Sequence, residues 1–289
     1  MIGRLIIGIG ASALAATIVS YISDFVSYDN RGRAIGLIRI AFGISILVSP
    51  IYATNIVYNY SLNTLYLILT IAMGILFIAS FFLPGENTNL DNVHSTVENK
   101  IKIDDINDIL KGRVTTCLLL VQFLINIPTV LVYGYLSIWL KNCVNANQNQ
   151  IGLVYTIAAI GTIVGILMAT VFSDRIGKIK FTEVGLTITL IFMLLIPFSS
   201  SLAIISIVTF LFAMGIDAAW ASFEAIASEV SIKGRTTFLS LIYSMVSLSS
   251  FVFYLVGPSI YDYGGYKLTI IISGICILIS IILIKLLKK

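Results

Sequence analysis

Nine apolar runs, each about 20 residues long and therefore long enough to cross a bilayer as a helix, leave this chain almost no freedom in what it can fold into. They fall at residues 3–22, 34–56, 64–84, 114–140, 151–172, 181–199, 202–227, 238–259 and 267–285. In lipid every backbone polar group must be satisfied within its own segment, so these runs read as helices. With 58% hydrophobic and 11% charged residues against about 25% charged in soluble domains, the expected fold is all-α: a polytopic membrane helix bundle with about nine spans in the cell membrane. The connections are short except 85–113, which is polar and charged. That stretch reads as a linker between residues 1–84 and 114–289.

Charge sets the orientation. Lys and Arg accumulate in cytoplasmic loops. Placing 23–33, 85–113, 173–180, 228–237 and the C-terminus inside gathers fourteen of the eighteen basic residues there, and Arg39 just within its span makes fifteen. Only Arg4, Lys141 and Lys267 then fall outside, so the first residue is expected outside and the last inside. The net charge of +4 serves topology and gives no reason to expect nucleic acid. Cys117, Cys143 and Cys276 are too dispersed for a zinc or disulfide framework, and no cofactor or metal is expected. The partners expected are a small-molecule substrate, a proton or other coupling ion, and the lipid bilayer.

Between runs 151–172 and 181–199 lies a short charged turn, Ser173-Asp174-Arg175-Ile176-Gly177-Lys178-Ile179-Lys180. Gly177 lets the chain reverse, and Asp174 is placed to cap or face the positive end of the next helix. This turn resembles the short-loop motif of the major facilitator superfamily, with Asp174, Arg175, Gly177 and Lys178 matching and Thr170 standing in place of a glycine. Arg4-Leu-Ile-Ile-Gly8-Ile-Gly10-Ala11 is similar to the family's fourth-span motif, with Ile7 in place of glutamine. Arg31-Gly-Arg-Ala-Ile-Gly36 and Ser49-Pro50 resemble the following loop and fifth span, and only part of the antiporter signature is kept, since Ser49, Ala53 and Thr54 replace glycines. Arg235, Gly257-Pro258 and Asp262-x-Gly264-Gly265 echo these features in the second half.

The resemblance implies that residues 1–84 correspond to spans four to six and residues 114–289 to spans seven to twelve. Three family spans then have no counterpart, which is read as truncation. It also implies a secondary active transporter working by alternating access, proton-coupled, with export favoured by the partial antiporter signature, and not an enzyme. The alternative reading is a non-transporting fragment or partner subunit that keeps only the packing motifs. No phosphate-binding loop, metalloprotease or hydrolase motif is present in the sequence.

Ionisable groups within spans cost about 2.5–3.5 kcal/mol each on insertion scales, so each one points to a function. Asp217 and Glu224 share run 202–227. Seven residues is close to two turns, which puts both on one face, and the resemblance makes this the cavity-lining tenth span. They are candidates for a proton relay or cation site; the competing reading has Glu224 snorkelling to water. Arg4 and Arg39 are further transport candidates, or else interface residues. Gln122 and Asn126 beside Pro128 mark a bent, cavity-facing span or an interhelical hydrogen-bonding one. Trp220, beside Asp217, is a candidate substrate contact, and Trp139 an interface anchor. Gly161-x-x-x-Gly165 reads as a helix-packing face, with Pro50 and Pro258 as further packing positions. Asp174, Arg175, Gly177, Lys178 and Arg235 form a candidate cytoplasmic gate.

The orientation makes a testable claim. Cys143 lies in the outside loop 141–150, whereas Cys117 and Cys276 lie within spans. A membrane-impermeant thiol reagent applied to intact cells should label Cys143 alone; labelling of Cys143 only after lysis would reverse the topology.

Overall fold

In the computed structural model the described residues are 55–82, 112–199, 201–229 and 235–286, with single positions between 44 and 53. The runs at 3–22 and most of 34–56, the linker, and the candidates Arg4, Arg39 and Pro50 lie outside them. So does the side chain of Arg235. Every regular element among the described residues is a helix: α1 (Leu62–Ser80), α2 (Arg113–Cys143), α3 (Gln148–Ile176), α4 (Lys178–Leu195, prolonged by the 3-10 turn Ile196–Phe198), α5 (Leu202–Glu229) and α6 (Arg235–Leu286). Among the described residues six helices are long and apolar enough to cross a membrane, and the chain is a multi-pass membrane protein.

Two boundaries differ from expectation. The loop expected at 260–266 is absent. The helix that begins at Arg235 continues to the bend at Gly265, whose φ of 63° and ψ of −163° together fall in a region essentially reserved for glycine. α6 is thus a hairpin of two arms that enclose α2. Asn126 of α2 meets Val246 and Ser250 on the first arm, while Tyr266 and Leu283 of the second meet Val132 and Cys117. The first arm therefore runs parallel to α2 and the second antiparallel. At the charged turn, α3 and α4 are joined by Gly177 alone, with φ 95°. Asp174 does not cap α4. Its carboxylate pairs instead with Lys178 Nζ at 3.3 Å, across the Gly177 junction and beside the start of α4.

α3, α4 and α5 pack through backbone rather than through large side chains. A Cβ on Gly161 would collide with the carbonyl oxygen of Phe210, and one on Gly165 with that of Met214. Gly215 would place a Cβ 2.9 Å from the Gly185 carbonyl oxygen. Lipid is as apolar as leucine, so close backbone approach and polar contacts must supply the attraction between spans that water exclusion supplies elsewhere. At the α4 end, Ser222 Oγ donates to the Lys178 carbonyl at 3.0 Å.

Trp139 is not an exposed interface anchor. It is buried and stacks on Tyr266, ring centres 5.1 Å apart, inside a core shared with Leu136, Leu140, Phe212 and Met193. Cys276 is buried against Ile127 and Leu131, as a small apolar side chain would be. Pro258 lies within the first arm of α6 and faces outward.

Because the α3–α5 contact has no room for even a methyl group, Gly165→Val should lower the detergent-solubilised protein's stability by about 1–3 kcal/mol, measured by thermal unfolding. An unchanged midpoint would mean that these backbones separate freely.

Candidate functional site

Buried polar side chains occur on every helix from α2 to α6, and the acids of α5 single out two places among them. Asp217 sits near the middle of α5, half-buried, and its Oδ2 accepts a 2.6 Å hydrogen bond from Thr162 Oγ1. Thr162 reaches it because it stands between Gly161 and Gly165, where α3 lies directly on α5. The Tyr133 phenol of α2 lies near Thr162 and Asp217. Tyr133 is in turn fixed by Tyr155, whose hydroxyl donates to the Tyr133 carbonyl at 2.6 Å, and by the Phe212 ring at 5.3 Å. Three helices thus supply the surroundings of one carboxylate.

Glu224 lies seven residues on, about 10.5 Å towards the α5 C-terminus, on the face it shares with Asp217. It is tied to a different neighbour: Tyr243 Oη on the first arm of α6 donates to Glu224 Oε1 at 3.0 Å. The α5 and α6 backbones approach each other at few places, and this bond is a direct tie between them. Trp220, half-buried, lies one turn from both acids on α5.

Gln122, Asn126, Thr129 and Tyr133 of α2 follow each other at spacings of four, three and four, which is one face of a helix. Tyr133 stands on the Asp217 side of that face, and Asn126 meets α6, donating to the Val246 carbonyl at 3.1 Å and to Ser250 Oγ at 2.9 Å. Pro128 interrupts the α2 ladder in the middle of it. Gln122 is fully buried, and neither its amide nitrogen nor its oxygen has a hydrogen-bond partner.

Sequence reasoning named Asp217, Glu224, Gln122, Asn126 and Trp220. The structure places Asp217, Trp220 and Glu224 along α5 and buries Gln122 and Asn126 on one stripe of α2. Asp174, Arg175, Gly177 and Lys178 lie apart from them, at the α3–α4 junction. Thr162, Tyr133 and Tyr243 were missed. Each is an ordinary residue whose relevance depends on the carboxylate it faces, although Thr162's place inside the glycine pair was a visible sign. Glu183 was missed too, despite being an ionisable residue inside an apolar run. It lies on the α4 stripe Ile179, Glu183, Leu186, Leu190, whose other members pack into the core, and its Oε1 is buried with no hydrogen-bond partner.

Asn126 and Gln122 make opposite demands on stability. Asn126→Leu removes interhelical bonds worth about 0.6 kcal/mol on average and up to about 1.7 in membranes, and should destabilise. Gln122→Leu removes a buried carboxamide whose missing partners cost about 1–3 kcal/mol, and should stabilise. Thermal unfolding of the two variants checks the sign; a destabilised Gln122→Leu would show that the carboxamide has partners.

Comparison with known proteins supplies the family. The family model described as Major Facilitator Superfamily matches residues 1–142 and 118–289, which together span the chain. No curated protein sequence matches at a significant level. Among solved structures, the fold is similar to that of a bacterial homologue of the iron transporter ferroportin in an inward-facing state, with a TM-score of 0.64 at 17% identity. That match covers 92% of this chain and 65% of the other, so the chain spans just under two thirds of that protein's length. With the membrane helices, the charged turn at Asp174 and the family match over its whole length, this chain belongs to the Major Facilitator Superfamily.

Proposed function

We propose that the chain acts as a secondary transporter, moving a small solute by alternating access with protons as the coupling ion. The observation that carries this reading is Asp217, a carboxylate near the middle of a membrane span that is held by Thr162 and neighboured by Tyr133. A mid-span acid is expensive and is kept where it does work. Asp217 takes a proton from one side and releases it to the other as access alternates. Glu224, about 10.5 Å nearer the cytoplasmic end, passes the proton to water, and Tyr243 holds Glu224 in position. Asp174, Arg175, Gly177 and Lys178 serve as the cytoplasmic latch, with Arg235 at the start of α6 their counterpart. The iron named for the structural neighbour is not carried over: among the described residues no three His, Cys, Asp or Glu side chains converge as metal ligands would.

Asp217→Asn keeps size and hydrogen-bonding capacity but cannot cycle a proton. In proteoliposomes, with a transported solute found by counterflow screening, the variant should lose accumulation under a pH gradient and retain solute exchange. Glu224→Gln should slow transport and shift its pH dependence without abolishing it. Accumulation by Asp217→Asn at the unmodified level would reduce Asp217 to a packing residue.

A further inference from the structure

Three phenols, those of Tyr133, Tyr155 and Tyr266, stand close together on the approach to Asp217. Two of them are committed elsewhere. The Tyr155 hydroxyl donates to the Tyr133 carbonyl at 2.6 Å and the Tyr266 hydroxyl to the Val132 carbonyl at 3.3 Å, so both serve the α2 backbone. Tyr133 differs. Its ring packs against Phe212 of α5 and Tyr155 of α3, with centres 5.3 and 6.2 Å away, and its phenol comes near Thr162 and Asp217.

Proton counting gives this contact a direction. A threonine hydroxyl has one hydrogen to donate and lone pairs with which to accept, and an ionised carboxylate only accepts. Thr162 spends its hydrogen on Asp217 Oδ2, at 2.6 Å. In that state any bond between Tyr133 and Thr162 has Tyr133 as donor, and the order runs phenol to hydroxyl to carboxylate. A proton arriving on Oδ2 makes Asp217 a donor. Thr162 then accepts from Asp217 and turns its own hydrogen towards the nearby phenol oxygen. Tyr133 changes from donor to acceptor, and its hydrogen is released from this chain. Only the incoming proton is exchanged; the two hydroxyls keep theirs and rotate. Thr162 is not free to step aside, because Gly161 and Gly165 hold α3 against the Phe210 and Met214 carbonyls of α5. Tyr133 belongs to α2, whose backbone meets α3 and α5 at few places. The other titratable groups around the pair are accounted for. α3 presents Tyr155 and α6 presents Tyr266, both bonded to α2 carbonyls. α4 meets α5 at Gly185, and Glu183, two residues before it, projects from the opposite side of that helix. Glu224 is two turns along α5 and bonded to Tyr243.

We propose that Thr162 and Tyr133 are positioning residues that carry the protonation state of Asp217 to α2. Ionised, Asp217 holds Tyr133 through Thr162; protonated, it lets Tyr133 go. This rests on Asp217 as the proton site and adds the step by which the proton changes how α2 is held against α3 and α5.

The test is infrared difference spectroscopy of the full chain in liposomes, stepped from alkaline to acid pH. The carboxyl C=O band missing in Asp217→Asn belongs to Asp217, and the phenol C–O band missing in Tyr133→Phe belongs to Tyr133. In the unmodified chain the two bands are expected to change together. Thr162→Val keeps the branched shape without the hydroxyl; the Asp217 band should remain and the Tyr133 change should be lost. Thr162→Ser should restore it, and since serine returns the hydroxyl but not the methyl, that recovery is not an effect of packing. An Asp217 band with a silent Tyr133 band in the unmodified chain, or a Tyr133 change undiminished in Thr162→Val, overturns the inference and leaves Asp217 as the proton site. Absence of any Asp217 band overturns both. If the Tyr133 band follows Asp217 through Thr162 and yet a pH gradient drives no accumulation in proteoliposomes, the inference stands and proton-driven transport falls.

Discussion

The close contact of α3 with α5 is the constraint on which the rest of the described bundle depends. Gly161 and Gly165 let the two backbones meet at the carbonyls of Phe210 and Met214. In a bilayer there is no water to drive large side chains together, so attraction must come from atoms in close van der Waals contact and from polar groups that cannot find other partners. The contact provides both. It brings Thr162 within 2.6 Å of Asp217, which a wider helix spacing would not permit. The packing motif and the mid-span carboxylate are thus one arrangement.

The same logic separates the two acids of α5. Asp217 is tied to α3, which lies directly on α5. Glu224 is tied through Tyr243 to the first arm of α6, which elsewhere scarcely touches α5. One bond lies within a closely packed pair and the other joins two helices whose backbones meet at few places.

α2 connects these parts. Its outer half is pinned by tyrosine hydroxyls from α3 and from the second arm of α6, Tyr155 to the Tyr133 carbonyl and Tyr266 to the Val132 carbonyl. Below Pro128, Asn126 ties it to the first arm. The proline divides the helix between two sets of neighbours, and the one polar residue left over, Gln122, lies below that division.

By itself the sequence determined the membrane-helix class, the charged turn, the family resemblance and the pairing of Asp217 with Glu224 on one helical face. These follow from hydropathy, from the positive residues at span ends and from the 3.6-residue repeat, all of which are local properties. It also placed Gly161 and Gly165 on a packing surface without saying which helix would lie there. Tertiary structure alone decided the rest. Trp139 looked like an interface residue because its position near a span end is a local fact, whereas its burial depends on Tyr266, more than a hundred residues away. The loop expected before Lys267 became a single-residue bend, because Gly265 adopts a positive φ that composition does not reveal. Thr162, Tyr133 and Tyr243 became site residues only through the helices brought against them. The difference between Asn126, with partners, and Gln122, without, depends on where α6 returns along α2. A long-range contact of that kind is fixed by packing, and no spacing within one helix encodes it.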